Sequence, residues 1–383
     1  MLQVRSIASP GSHPAREGRE LGLFGRIHRK KEGNVMSRFT AYVKATTLLC
    51  AGLAAFLSQP NSAAAFDRNQ AQLFAVLPAG STLPEGLAVD PSNGDVYVAT
   101  FDGSNTIIVF NDNGKQLRKL TVHAGSGKGF LGVNFQPHTD ALLVIDFGAG
   151  TVLNVDKQTG NSSVFISGPG AGSGLNGLTF DKMGNVYVSD SFGGAIWRTG
   201  PNGGTATIWV QDPLLKTAGD PPFGANGLAF NKAQNILFVA NTGNDTILQI
   251  PVSGSPLTAG APAVFTNSVN GADGLIIDDH DNLWVCANQS DEIVVVDPTG
   301  KVIAKLGDFE GLVDDGTPKG LLFPASPGFS RDKKTVYVTN LALDLRVGTG
   351  NPANIAVDSA WAAQVKHWTV SKISTQFQPL PNK

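Results

Sequence analysis

Four oxygen-bearing side chains each stand immediately before a glycine that opens a β-type run. They are Glu85 before Gly86, Asn176 before Gly177, Asn226 before Gly227 and Asp273 before Gly274. Two further runs place Leu131 before Gly132 and Pro327 before Gly328 at the equivalent position. If the six positions converge, two carboxylates and two amide oxygens meet at one spot, with no imidazole or thiolate among them. Hard oxygen donors carrying a charge of about −2 suit Ca²⁺ or another hard divalent cation and not zinc. Calcium takes about 6–8 oxygens, so four protein ligands leave positions for water and a substrate, the openness a catalytic metal site requires. The competing expectation is that Asn-Gly and Asp-Gly are turn dipeptides that merely shape loops. Glu85 argues against it, because Glu is a poor turn residue and only Glu85, Glu292 and Glu310 occur after residue 65.

These positions are equivalent because the chain repeats with a period near 48 residues. Each unit opens with a short strand such as Gly-Leu-Ala-Val-Asp at 86–90, Gly-Leu-Thr-Phe-Asp at 177–181 or Gly-Leu-Ile-Ile-Asp at 274–278, and the sixth reads Gly-Phe-Ser at 328–330. A polar turn and a second strand follow: VYVAT at 96–100, LLVID at 142–146, VYVSD at 186–190, LFVAN at 237–241, LWVCAN at 283–288 and VYVTN at 336–340. Third strands include TIIVF at 106–110 and EIVVVD at 292–297, with VKHWTV at 365–370 in the last unit, and a weaker fourth strand ends each unit. All are short, rich in Val, Ile and aromatics, and bounded by Gly, Asn, Asp or Pro. Six units of four strands predict an all-β, six-bladed β-propeller, closed by a strand at Gln72–Leu77. Helical periodicity is absent apart from a short turn near 355–365.

In a blade the first strand lies nearest the axis. Residues entering it, and residues leaving the second strand, open on one face. The site face therefore also carries the loops 78–84, 121–131, 167–175, 211–225, 266–272 and 307–327, of which 211–225 and 307–327 are long enough to set specificity. Turns such as Asp278-Asp279-His280-Asp281-Asn282 open on the other face and lack the Gly and distant Glu of a calcium-binding loop, so a solvated turn is expected there. His123 lies in a site-face loop as a candidate assisting acid or base. Asp190, Asn241, Asn288 and Asn340 leave second strands on that face, where two roles are open to them, support of the ligand residues from behind and capping of their own turns, the second being the default expectation. The aromatics Tyr97, Tyr187, Phe238, Trp284 and Tyr337 recur at one repeat position and are expected to pack between blades. Gly125-Ser126-Gly127-Lys128-Gly129 has the wrong spacing for a phosphate loop, and no Gly-x-Ser-x-Gly elbow exists.

Residues 36–65 have the form of a secretory signal: Arg38 and Lys44, a mostly apolar stretch at 46–58, Pro60, and Ala63-Ala64-Ala65 as the cleavage pattern. Residues 1–35 are read as a mis-assigned leader ahead of a second start at Met36. A single propeller domain over 66–383 is expected, secreted or periplasmic, cleaved near Ala65 and without a membrane span. The first 65 residues hold nine of the 29 Lys and Arg and three of the 31 Asp and Glu, so 20 basic and 28 acidic residues remain, a net charge of −8. Such an acidic chain is no candidate for nucleic acid. Cys286 is the sole cysteine after residue 65, which excludes an intrachain disulfide there and predicts a buried, inert thiol. A monomer is expected.

The motifs Pro84-Glu85-Gly86, Asn176-Gly177-Leu178, Ala225-Asn226-Gly227-Leu228 and Ala272-Asp273-Gly274-Leu275, in this order and spacing, resemble the senescence-marker-protein/gluconolactonase family of regucalcin-like lactonases. Strictosidine-synthase-like and paraoxonase-like propellers are more distant kin. The resemblance covers roughly 75–380. It implies that Glu85, Asn226 and Asp273 coordinate a metal, that Asn176 contacts the metal shell or substrate, that Asp273 doubles as general base, and that the substrate is a lactone or ester. Phrases such as Val-Ala-Asn-Thr-Gly-Asn at 239–244 look as much like NHL-repeat propellers, which implies the alternative of a non-catalytic secreted propeller binding a ligand or protein partner. The Arg that grips substrate in sugar-lactone hydrolases has no counterpart here.

Overall fold

The computed structural model describes residues 68–123, 125–348 and 359–380. The leader, the signal segment and Cys50 lie outside the described residues. Within them the chain forms six blades, each built on four antiparallel strands; a short parallel pairing of Ser162–Ser167 with Gly203–Gln211 joins blades 2 and 3, and Thr258–Ala259 adds a short fifth strand to blade 4. Blade 1 runs through Pro84–Val89, Val96–Thr100, Thr106–Phe110 and Gln116–Thr121. The inner strands of blades 2 to 6 are Phe130–Phe135, Leu175–Phe180, Ala225–Phe230, Ala272–Ile277 and Pro324–Phe329. Each packs against the next, and the sixth packs against the first, closing the ring. Closure is sealed by Gln72–Val76, which pairs with Thr369–Ser374 as the outer strand of blade 6. No helix among the described residues is long and apolar enough to cross a membrane.

The second strands, such as Val96–Thr100 and Val186–Asp190, are buried along their whole length. Sheets covered on both faces are expected to read as continuous apolar runs, and these do. The recurring aromatics pack between blades as expected. Tyr97 meets Phe135 of blade 2 edge-on at 5.2 Å, Tyr187 meets Phe230 of blade 4 at 5.0 Å, and Trp284 meets Phe329 of blade 6 at 5.7 Å. T-shaped pairs of this kind contribute about 0.5–1.5 kcal/mol each beyond their buried area. On the opposite face, the Asp278 carboxylate accepts from the His280 and Asn282 backbone N–H groups, the Asn282 amide and the Trp284 indole. It is a turn cap, as expected.

Two expectations fail in blade 6. Its third strand is Thr369–Ser374, later than 365–370. Its residue equivalent to Glu85 is Ala325, not Pro327. In blade 1, Pro84 pairs with Thr100 and Leu87 with Val98, leaving Glu85 and Gly86 unpaired; in blade 6, Pro324 pairs with Asn340 and Pro327 with Val338, leaving Ala325 and Ser326 unpaired. Pro327 is therefore a ladder residue two positions beyond the ring. The ring reads Glu85, Leu131, Asn176, Asn226, Asp273, Ala325.

Candidate metal centre at the mouth of the channel

Each inner strand carries the same irregularity. Two residues bulge out of register between Pro84 and Leu87, Leu175 and Leu178, Ala225 and Leu228, and Ala272 and Leu275. A bulge of this kind re-aims a side chain. Here the first bulged residue is the one expected at the site, and Glu85, Asn176, Asn226 and Asp273 are all buried. The glycines that follow are strand residues and not turn residues. A Cβ on Gly227 would lie 2.5 Å from the main-chain carbonyl oxygen of Asp273 in the next blade, and one on Gly86 would collide with that of Leu131. The Asn-Gly and Asp-Gly pairs thus mark close approach between blades, not loop geometry.

Hydroxyl groups fix the backbone of the ring. Thr339 Oγ1 donates to the Glu85 carbonyl at 2.7 Å. Thr242 Oγ1 accepts from Asn226 Nδ2 at 2.9 Å and donates to the Ala272 carbonyl at 2.8 Å. Ser189 Oγ accepts the Gly177 N–H at 2.8 Å.

The four ring residues line one cavity of about 440 Å³ on the site face. Glu85, Asn176 and Asn226 also line a second space of about 280 Å³ inside the channel. They form the floor between the two. Burial pushes the Glu85 carboxyl well above the usual carboxylate range, and the negative charge of Asp273 pushes it further. Burial raises Asp273 to about 7, although the Asn288 and Asn226 amides and the Gly274 N–H favour its ionised form. Among the described residues, no Lys, Arg or His lines the cavity.

These donors fit a hard divalent cation. Glu85 Oε2 is buried with no hydrogen-bond partner, and so is Asn288 Oδ1. Orphaned buried acceptors carry a cost that a bound cation removes. The described residues hold no group of three or more His, Cys, Asp and Glu close enough for a metal, so any ion here relies on amide oxygens as well as the two carboxylates. Such a donor set is characteristic of calcium.

Asn288 is a site residue that turn-capping logic passed over. Its Nδ2 donates to Asp273 Oδ2 at 2.9 Å. Two of its three counterparts do cap their own turns, Asp190 accepting from the Gly193 N–H and Asn241 Oδ1 from the Asn244 N–H, whereas Asn340 accepts from the Leu322 N–H of the 307–327 loop and donates to Thr369 and Ser371. His123 is exposed and is not among the residues lining the cavity. Also unforeseen was an aromatic wall of Phe101, Phe147 and Phe192, with Phe223 from the 211–225 loop and Phe323 from the 307–327 loop. Its trace in the sequence is a Phe just after the second strand in three successive blades: Thr100-Phe101, Asp146-Phe147 and Asp190-Ser191-Phe192.

These features define a six-bladed propeller with an oxygen-lined ring at one mouth of its channel. Within that class the chain is gluconolactonase- and lactonase-like. A family profile described as the SMP-30/Gluconolactonase/LRE-like region matches residues 211–307, the stretch holding Asn226 and Asp273. The lactonase drp35 of Staphylococcus aureus (strain MW2) is 23% identical over 283 residues, which is 70% of this chain and 80% of that protein. NHL repeat-containing protein 3 of Mus musculus is 30% identical over 139 residues, 35% of this chain and 38% of that protein. In fold, a calcium-binding regucalcin from Agrobacterium tumefaciens str. C58 superposes with a TM-score of 0.54 at 15% identity, covering 83% of this chain and 99% of that one.

Proposed function

We propose that the chain is a divalent-cation-dependent, calcium-type hydrolase of lactones or related esters. One observation carries this reading: two buried carboxylates, Glu85 and Asp273, meet at the floor of a cavity with no cationic side chain, and Glu85 Oε2 has no partner there. Glu85, Asp273, Asn226 and Asn176 would hold the ion. When bound, it supplies polarisation of the substrate carbonyl and stabilisation of the negative charge that develops on its oxygen. Asp273 takes a proton from the attacking water as the water oxygen bonds to the carbonyl carbon. The acyl C–O bond then breaks, and the proton passes to the departing alkoxide, giving a hydroxy acid. Asn288 holds Asp273 in position for that transfer. The lactonase drp35 and the calcium-binding regucalcin support this chemistry by likeness only. The pattern at 36–65 supports a secreted or periplasmic protein cleaved near Ala65.

The test is a panel of lactones and esters assayed with and without chelator. Hydrolysis that is lost on chelation and restored by calcium supports the reading. Absence of stoichiometric divalent metal after mild dialysis, with no shift in melting on adding calcium, overturns it. That outcome favours a non-catalytic propeller, a reading favoured by the NHL-repeat match.

A further inference from the structure

The wall above the ring is unusual for a site expected to take a sugar-derived lactone. Phe147 is the hub of a continuous aromatic cluster: its ring lies 5.6 Å from Phe101, 6.0 Å from Phe192 and 6.3 Å from Phe223, and Phe192 lies 5.4 Å from Phe223. Phe192 keeps 43% of its surface exposed. Phe323 and Leu343 extend this apolar lining, Phe101 and Leu343 both packing against the cluster that holds Phe323. An exposed, contiguous apolar surface in a concavity marks a place where apolar ligand surface is buried. The polar groups that line the cavity are spoken for once the cation takes the orphaned Glu85 Oε2 and Asn288 Oδ1. Thr242 Oγ1 already accepts from Asn226 and donates to Ala272, and Asn288 Nδ2 already donates to Asp273. A polyhydroxylated ring would lose its water here and leave hydroxyls unpaired, which is costly.

Resting on the lactone-hydrolase reading, we propose that this site selects uncharged lactones or esters bearing an alkyl or aryl substituent, which lies against the Phe101–Phe147–Phe192–Phe223 wall while the ester carbonyl faces the Glu85–Asp273 floor. Polyhydroxylated sugar lactones and anionic substrates are poor ligands. The bound cation only offsets the charge of the two carboxylates, and no Lys or Arg among the described residues lines the cavity to grip an anion. The cavity volume, about 440 Å³, falls within the range of small-molecule sites, roughly 300–1,000 Å³.

The experiment uses the calcium-loaded protein and a series of δ-lactones: unsubstituted δ-valerolactone, δ-hexalactone, δ-decalactone and δ-dodecalactone, with glucono-δ-lactone as the polyhydroxylated comparison. The expected kcat/KM rises along the series, by as much as about fourfold for each methylene buried. δ-Decalactone should exceed glucono-δ-lactone by roughly a hundredfold or more. Phe192→Ala should flatten the series, costing δ-decalactone severalfold more than δ-valerolactone; its exposure keeps the substitution compatible with folding. Equal or faster turnover of glucono-δ-lactone overturns the proposal while leaving the hydrolase reading intact. If no lactone is turned over, that reading fails, and calorimetry with the non-hydrolysable ethers tetrahydropyran and 2-pentyltetrahydropyran decides the pocket. Tighter binding of the pentyl ether, weakened by Phe192→Ala, supports an apolar site, whereas equal binding overturns it.

Discussion

Asn288 Nδ2 donates to Oδ2 of Asp273 at 2.9 Å, with both side chains buried. The bond joins the end of the second strand of blade 5 to the bulge of its first strand, so Asn288 orients the candidate base from within the same blade. The amide oxygen of Asn288, Oδ1, has no hydrogen-bond partner. Asn288→Ala should therefore lower kcat/KM and cation affinity by about 10–100-fold, as loss of a group that orients a metal ligand does. Near-wild-type values for both, in enzyme assays and metal titration, would show that Asp273 needs no such support.

A second dependence runs between blades. A Cβ on Gly227 would lie 2.5 Å from the Asp273 carbonyl and 2.7 Å from the Leu275 nitrogen. Gly227→Ala forces two adjacent inner strands apart. Overpacking against backbone costs about 1–3 kcal/mol, and the displacement falls on the base itself. Thermal melting should drop by several degrees and activity by a larger factor than the loss of stability explains. Gly200→Ala, where a Cβ meets nothing within 4 Å, is the control and should change neither.

The carboxylate pair also makes stability depend on pH in a direction opposite to the usual acid-labile protein. In the metal-free chain, burial raises Asp273 to about 7 and lifts Glu85 as well. The unfolded chain ionises both near 4. Between these values the folded state holds more protons, so stability is full below about pH 4 for these groups and is lost as pH rises toward 7. The slope approaches about 1.4 kcal/mol per pH unit for each proton retained. Chelated protein should melt lower at pH 8 than at pH 5. Calcium should reverse the trend, because binding requires both groups ionised, and its affinity should fall about tenfold per unit and per proton below pH 7. A melting temperature indifferent to pH in chelator would show that the two carboxyls do not share this environment.

What the repeat made legible was the ring. Glu85, Asn176, Asn226 and Asp273 could be equated because each precedes a glycine, and the structure gives that glycine a cause in the neighbouring blade's carbonyl. The same device misled in blade 6. There Ser326 occupies the glycine position, its N–H donating to Thr339 Oγ1 at 2.9 Å just as the Gly177 N–H donates to Ser189. Counting from Gly328 therefore slid the register by two residues and put Pro327 in place of Ala325. Asn288 was hidden for a different reason. A polar residue at a strand end reads as a turn cap, and for Asp190 and Asn241 it is one; only tertiary placement separates Asn288 and Asn340 from them. The aromatic wall was hidden because a Phe after a strand looks like any other core residue until the channel gives it something to face.

Asp273 concentrates the argument, since it is assigned to hold the cation and to accept a proton. Asp273→Asn keeps the shape and the amide contacts but removes one of the two buried charges. Hydrolysis should fall by at least about a thousandfold, because base and charge go together. Melting in chelator at pH 8 should instead rise, because the substitution ends the repulsion that Asp273 exerts on Glu85 and the cost of burying its own charge. The gain from added calcium should shrink in the same variant. Glu85→Gln should move stability in the same direction and calcium affinity just as far, yet leave the Asn288–Asp273 bond in place. Loss of activity accompanied by a lower melting temperature in chelator would mean that Asp273 serves the fold before it serves the chemistry.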